Sequence, residues 1–406
     1  MQKLRSIALW KKILAGIVVG LTIGFISADA ANFLSPLGDI FLRMLKMLIV
    51  PLVFFSITSG ICKMGDLKQL RSVGGRFVLY IVATSAMAAL FGVIAGLLTN
   101  VGTGTSEFLT QAQAADSASY SFIDNVVSWF PTNIVESMVN ASMQQIIVFC
   151  LFLGVALLAL GEKAASVIKF IDESSNVMLK ITEYVMEFSP IGIMSLMATM
   201  VSTVSGAMMM DVIKFLITDN IVAVLTLFIV YPLIIKVLAK LSPVKFMKKI
   251  SPAMLVAIST TSSAATLPVS IRCSEDDLGV PENIYGFTLP LGNTCGMNGF
   301  AVFIGLCCIF ASNLYGFAIT PGGVVKFIFL GLILSIGAAG VKGAGVVMST
   351  VLLQSLGMPL TLIPILAAIW PAIDPAHTVL NNVSDLAGTV LVAKKLGKLD
   401  ESKFNR

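Results

Sequence analysis

Charge is what this chain has least of. Of its 406 residues only 12% are charged, 57% are hydrophobic and the mean hydropathy is +0.94. An ordinary soluble domain carries about 25% charged residues. A soluble chain this long could not cover its surface with so few, so lipid is the solvent that fits. Histidine is almost missing, His377 being the only one. The six cysteines (Cys62, Cys150, Cys273, Cys295, Cys307, Cys308) show no CxxC spacing and lie mostly in apolar runs. They read as small buried apolar residues rather than a disulfide framework. A basic stripe is missing as well. The net charge is +5, but Lys and Arg sit at segment ends, so no nucleic-acid partner is expected. No cleavable signal peptide is expected either. Met1 to Lys12 is basic and polar, and the apolar stretch from Ile13 to Ser27 reads as a first membrane helix.

What is present is a set of long charge-free runs. None of the residues between Arg76 and Glu107, Glu136 and Glu162, Glu282 and Lys326, or Lys342 and Asp374 is charged. Each gap has room for the ~20 residues that cross a hydrocarbon layer. Membrane helices are predicted near 13–33, 38–62, 76–101, 121–161, 173–206 and 212–239, the fourth broken around Pro131, Asn133 and Asn140. Beyond Ser242 two apolar stretches, 245–275 and 322–362, are interrupted by small polar residues. Each is followed by another apolar segment with its own expected break, near 282–312 and 363–395. Basic clusters precede the first helix and follow the second and sixth. Another ends the chain, whereas the loop after the third has none. This places both termini in the cytoplasm of a multi-pass cell-membrane protein. The count closes if 245–275 and 322–362 enter and return as re-entrant hairpins; a full crossing by each is the alternative.

The interruptions carry the chemistry. Unpaired backbone in lipid costs several kcal/mol per group, so broken helices survive only inside protein or along a polar cavity. A pair of them in corresponding halves points to a transport site. The first tip is Ser259 to Pro268, rich in Ser and Thr; the second is Ser335 to Gly345, rich in Gly. Between them, Gly292 to Gly299 (GNTCGMNG) would unwind a helix and free carbonyls for a cation. In the last segment Asp374, Thr378, Asn381 and Asp385 follow i, i+4, i+7, i+11 spacing, one face of a helix. A carboxylate at membrane depth costs at least ~2.5 kcal/mol unpaired. Each needs a cation, a protonated partner or a ligand ammonium. An internal pair of Asp374 with His377 or Lys342 is the plainer alternative.

Several stretches resemble the glutamate transporter family, the dicarboxylate/amino-acid:cation symporters. Phe41 to Ser56 (FLRMLKMLIVPLVFFS) looks like its second helix and Ser189 to Ile193 (SPIGI) its fifth. Thr266-Leu267-Pro268-Val269 and Phe287 to Gly292 (FTLPLG) resemble its first hairpin and seventh helix, and Asp374 to Lys394 its eighth. The likeness runs from about residue 10 to 398. It implies an all-α membrane protein with eight transmembrane helices plus two re-entrant helical hairpins, assembled as a homotrimer in membrane lipid. Residues 1–75 and 121–208 would be a scaffold. Residues 76–120 and 209–398 would be an elevator-type transport domain, and 399–406 a cytoplasmic tail. The resemblance assigns Asp374 to a substrate ammonium, Asn381 and the tip at Ser262 and Ser263 to its α-carboxylate, and Thr378 to their support. Phe300, Ala344, Gly345 and His377 complete the substrate set. Asp385 with carbonyls of Gly292, Gly296 and Asn381 would form one Na+ site. Thr294 with Ser335, Ile336 and Ala338 would form another, and Asn298 is counted among the cation ligands. No organic cofactor is implied, and the second hairpin would be the gate.

Departures from the family pattern shape the expectation. The family's Asn-Met-Asp-Gly-Thr becomes Gly296-Met297-Asn298-Gly299-Phe300. That removes ligands of a third Na+ site, leaving Thr84 and Ser85, so fewer Na+ ions or partial coupling to H+ is expected. Acidic-substrate members carry Arg where His377 stands. Arg pairs permanently with a carboxylate and His does not. A small neutral amino acid is therefore the first expectation. An acidic amino acid or dicarboxylate bound pH-dependently through His377 is the alternative. Lys342 replaces a usual proline and either reaches solvent along its stem, or its ammonium replaces a missing cation or meets a substrate carboxylate. An enzyme is not expected: Ser263, His377 and Asp374 supply triad residue types, but no GxSxG turn is present. A channel would show neither saturation nor cation dependence.

Overall fold

The computed structural model describes residues 9–62, 73–104, 127, 129–201, 206–338 and 344–406. Among these residues the chain is all helix, with no strand. Six helical spans are long and apolar enough to cross a membrane: Ala28–Cys62, Gly75–Thr99, Gln145–Val185, Met208–Val237, Glu282–Tyr315 and Leu360–Lys395. The protein is an all-α, multi-pass membrane protein.

The first helices are α1 (Leu9–Ile26) and α2 (Ala28–Cys62). They part at Ser27, whose Oγ accepts the Ala30 N–H (3.2 Å), not in the expected gap between 33 and 38. Pro36 and Pro51 both lie inside α2. Helix α3 spans Gly75–Thr99. The expected 121–161 helix is broken where its polar residues predict. Asn133 caps α4 (Ile134–Val139), Asn140 ends it, and α5 follows (Met143–Leu160). A 3-10 turn leads into α6 (Ala165–Val201), which begins eight residues before the expected 173. Its charged first turns belong to the helix: Lys169 pairs with Glu173 (3.8 Å) and Ser59 donates to Asp172 (2.8 Å). Helix α7 (Gly206–Leu225) continues through a π turn into α8 (Tyr231–Val237).

The next stretch is helical but cut short. After α9 (Pro243–Lys249) come α10 (Ser251–Thr260) and α11 (Ser263–Arg272), ten residues each. At 1.5 Å per residue each is about 15 Å long, half the hydrocarbon thickness. They pack on each other and turn at Thr261, a β-branched residue held left-handed at φ 49°. Such strain is uncommon away from functional tips. Helices α12 (Glu282–Cys295) and α13 (Asn298–Tyr315) are separated by Gly296 and Met297. Then come α14 (Pro321–Gly337) and α15 (Ala344–Ser355), whose connection, with Lys342, lies outside the described residues.

Helix α16 (Ile363–Lys395) corrects one expectation. It runs 33 residues unbroken, with Pro371 and Pro375 inside. Each proline removes one ladder bond, but α7, α10, α12, α13 and α15 all pack on α16, and the helix continues through both positions. The tail set apart at 399–406 is also packed. Short helix α17 (Glu401–Asn405) buries Phe404 completely, and Asp400 N–H donates to Gly279 O (2.9 Å).

Close backbone packing sorts the helices into two groups. Gly16, Gly20 and Gly24 make one stripe of α1; a Cβ at each would fall 2.3–2.4 Å from the carbonyls of Pro190, Met194 and Ala198 in α6. Helices α2, α5 and α6 join this group. In the second group Gly92 of α3 and Gly305 of α13 are locked reciprocally, with Cβ positions 2.1 and 2.0 Å from the opposing carbonyls. Where lipid supplies no hydrophobic drive between helices, such small-residue contacts hold them together.

Candidate functional site

Helices α7, α10, α12, α13 and α15 all pack against α16. Asp385 lies on this helix, buried at 4% exposure, against the break between α12 and α13. A Cβ on Gly292 would fall 2.3 Å from Asp385 Oδ1, and one on Gly296 2.5 Å. Only glycine leaves room for the carboxylate here. Gly292 O accepts the Gly296 N–H at 2.6 Å, and the helix stops there. Among the described residues no basic side chain forms an ion pair with Asp385. A buried carboxylate beside helix-end carbonyls is an oxygen-only, negatively charged setting. It suits a hard monovalent cation.

One turn back, Asn381 ties α16 to the same break. Its Oδ1 accepts the Gly299 N–H (2.7 Å), and its Nδ2 donates to Met297 Sδ (3.2 Å). Asn382 reaches the α10–α11 tip, donating to Ser263 Oγ (3.3 Å) and to the Thr378 carbonyl (2.8 Å). Ser262 caps α11, accepting the Ala265 N–H (3.3 Å). Ser263 and Thr378 are buried, and Asp374 is half-buried. The amino end of α11 points its free N–H groups and positive dipole at this junction, a natural place for a carboxylate.

The remaining candidates divide. Gly345, at the start of α15, lies against Trp370, where a Cβ would sit 1.9 Å from the indole. Ala344 opens the same helix. Phe300 stacks on Phe303 (5.8 Å) and meets Trp370 edge-on (6.0 Å), forming an aromatic wall. Cys295 at the end of α12 and Ile336 O at the end of α14 both face Gly60 of α2. That brings Thr294, Ser335 and Ile336 into one neighbourhood. There Thr294 Oγ1 bonds Pro290 O (2.9 Å) and Ser335 Oγ bonds Leu332 O (2.7 Å). Ala338 is buried just past the end of α14.

Asn298, the first residue of α13, sits among hydroxyl groups. Its Nδ2 lies within reach of Ser384 Oγ (2.6 Å), Tyr231 OH (2.8 Å) and Thr84 Oγ1 (3.0 Å). Its Oδ1 accepts from Ser85 Oγ (2.6 Å), and Tyr80 OH donates to Ser384 O (2.9 Å). The side chain's hydrogen-bonding capacity is thus spent within the protein.

His377 is not on the Asp374 stripe. It is 2% exposed, and its Nε2 lies 2.8 Å from Oδ2 of Asp219, itself 0% exposed on α7. The approach lies outside hydrogen-bond geometry, and all four polar atoms of the two side chains are buried without a hydrogen-bond partner. Phe303 and Trp370 meet the imidazole edge-on at 6.3 and 6.1 Å.

Residues 9–395 match the pattern of the sodium:dicarboxylate symporter family. The chain belongs to that family. Across 98% of its length it is 28% identical to the proton/sodium-glutamate symport protein of Geobacillus stearothermophilus, covering 97% of that protein. It is 27% identical to the C4-dicarboxylate transport protein of Bacillus subtilis (strain 168), covering 97% of this chain and 94% of that one. It is 29% identical to the proton/glutamate-aspartate symporter of Escherichia coli (strain K12), covering 92% and 87% respectively. Within this symporter family member, sequence patterns alone missed Asp219, Asn382, Tyr80, Tyr231 and Ser384. Asp219 had a signal: a lone acid deep in an apolar span is a functional candidate by default. The hydroxyl residues had none, because Ser, Thr and Tyr occur throughout membrane helices.

Proposed function

We propose that this chain is a secondary active transporter that carries a small acidic amino acid or C4-dicarboxylate together with Na+, H+ or both. The observation that carries cation coupling is Asp385, a buried carboxylate in a two-glycine notch at a helix break, with no basic ion-pair partner among the described residues. Such a charge is tolerated only with a cation beside it. Asp385 and the carbonyls of Gly292, Gly296 and Asn381 would hold Na+. Thr294 with Ser335, Ile336 and Ala338 would hold a second. The amino ends of α11 and α15 would take a substrate carboxylate, with Asn381 and Thr378 beside it and Asp374 for an ammonium.

The names of the relatives reverse the order of the two substrate classes weighed from the sequence: they are glutamate, glutamate-aspartate and C4-dicarboxylate carriers. His377 would be the group that meets a side-chain carboxylate. A neutral amino acid stays as the second reading for two reasons. Asp219 already supplies a counter-charge to His377, and Phe300 lines an apolar wall.

The helix groups support a fixed scaffold (α1, α2, α4–α6) and a moving domain (α3, α7–α16) that works as an elevator. The second hairpin, α14–α15, would be the gate. It touches α2 through small residues: a Cβ on Gly337 would fall 2.6 Å from Ile57. Eight transmembrane helices, re-entrant hairpins, cytoplasmic termini and a homotrimer follow from the same reading, as does a cation count below three. The test is uptake of radiolabelled aspartate, succinate, serine and alanine into proteoliposomes, with and without Na+, from about pH 5.5 to 8. Wild type and His377→Ala are compared. Saturable, cation-dependent uptake of aspartate or succinate that weakens in the variant is expected. Flux that neither saturates nor responds to Na+ or pH would mean a channel.

A further inference from the structure

Asp219 and His377 form a buried ionisable pair that the transport scheme above uses only in part. The acid comes from α7 and the imidazole from α16, so the contact links these two helices. Oδ1 of Asp219 and Nδ1 of His377 are buried and have no hydrogen-bond partner. The indole Nε1 of Trp370, whose ring lies beside the imidazole, is likewise unpartnered.

Among the described residues no other cation forms an ion pair with Asp219; Lys326 of α14, partly buried, faces Cys308. On α7, Asp211 accepts the Gly104 N–H (2.9 Å) and Lys214 donates to Asn100 O (3.2 Å). From α13 the facing titratable group is Cys307, a neutral thiol beside Asp219. On α16 itself Asp374 lies three residues away. Helices α10 and α15 carry no titratable side chain. Tyr80 of α3 and Tyr231 of α8 serve the Asn298 cluster, Cys295 of α12 faces Gly60, and Arg272 ends α11. Glu187 of α6 is exposed. Among the described residues, then, the imidazole is the group that can balance Asp219. A carboxylate sealed from water without a counter-ion is among the costliest arrangements a protein can make.

We propose that Asp219 positions and charges His377: the pair holds one proton as a unit, and the imidazolium Nδ1–H is the donor offered to a substrate carboxylate. Asp219 is then a positioning residue. It makes a histidine do the work of a permanent cation and flattens the pH dependence that a lone imidazole would impose. Only the last step, the meeting with a carboxylate, rests on the acidic-substrate reading above.

One labelled nucleus reads the proposal directly. Because His377 is the only histidine, 15N-histidine labelling gives a single imidazole spectrum from the full-length protein in lipid nanodiscs. The wild type should show the imidazolium pattern at about pH 7.5. Asp219→Asn should show the neutral pattern there and become imidazolium near pH 5.5, while Asp219→Glu should restore the wild-type spectrum. A neutral imidazole in the wild type at pH 7.5 overturns the proposal even if no variant folds. So does an Asp219→Asn spectrum identical to wild type. In uptake, the KM for aspartate should change less than about twofold between pH 5.5 and 7.5 in the wild type. In Asp219→Asn it should rise about tenfold, the loss expected of an imidazole with an ordinary value near ~6.5. If the wild type carries no acidic substrate, the substrate reading fails while the spectrum still decides the pair.

Discussion

Replacing Asn298 by Asp tests how a buried polar cluster is kept neutral. In the wild type, Nδ2 faces three hydroxyl oxygens at 2.6, 2.8 and 3.0 Å, and a fourth hydroxyl donates to Oδ1 at 2.6 Å. The substitution exchanges the NH2 group for a charged oxygen. Two donated hydrogen bonds vanish, about 1 kcal/mol each. Thr84 cannot readily turn to compensate, because its own proton is already placed on Tyr80 O (2.8 Å). An uncompensated buried charge adds a further ~3–5 kcal/mol. The sum, about 5–7 kcal/mol, is of the order of a protein's whole stability. A bound cation would cancel part of it, since a carboxylate ringed by hydroxyls is a hard-cation ligand set. A cavity of about 500 Å³ lined by Arg76, Tyr80, Thr84 and Lys395 reaches the cluster. The assay is the thermal unfolding midpoint in Na+ and in choline buffer, followed by tryptophan fluorescence. The variant should be severely destabilised in choline and recover in Na+ by ~2.7 kcal/mol when Na+ reaches 100 times its Kd. The wild-type difference should be smaller. Equal destabilisation in both buffers, or none in either, refutes the reasoning.

Three further substitutions probe other parts of the fold. Gly292→Ala forces a Cβ to within 2.3 Å of Asp385 Oδ1 and should abolish Na+-dependent thermal stabilisation. Gly286→Ala, on the same helix with nothing within 4 Å, should retain it and be neutral or stabilised by up to ~1 kcal/mol. Phe404→Ala empties a fully buried site beneath the tail and should cost ~3–5 kcal/mol. Limited proteolysis should then cut near Asp400, where the wild type resists.

How far the sequence could be read depends on where each constraint lives. The α10–α11 turn was legible because a Ser/Thr run inside an apolar stretch has one physical outcome: the helix must stop where its backbone can be satisfied. The break at Gly296 was legible for the same reason. The unbroken course of α16 was not. Pro371 and Pro375 argue locally for a kink, and only the neighbours packed around them override it. The start of α6 was misjudged because Lys169, Asp172 and Glu173 look like a loop until their partners are seen. Spacing along one helix placed Asp374, Thr378, Asn381 and Asp385 on a common face. No local pattern could show that His377, next to that stripe, would be claimed by an acid 158 positions earlier in the chain.

Three polar side chains buried at this depth show three ways of handling charge, and the differences bear on energy coupling. Asn298 carries none and needs only hydroxyl partners, all supplied by the protein. Asp219 faces a basic group built into the chain, so a partner for its charge is part of the protein itself. Asp385 carries one and faces two glycines and helix-end carbonyls, so its balance has to come from outside. A charge neutralised internally cannot sense an ion gradient, because nothing enters or leaves when it is satisfied. A charge that depends on a diffusible cation senses it directly. The free energy of closing the site then contains the cation's chemical potential on whichever side the site faces. On the function proposed above, Asp385 is the one of the three whose balancing charge would come from the ion gradient. Moving the fixed base, by exchanging the environments of Asp219 and Asp385, would be expected to uncouple transport without closing the substrate site.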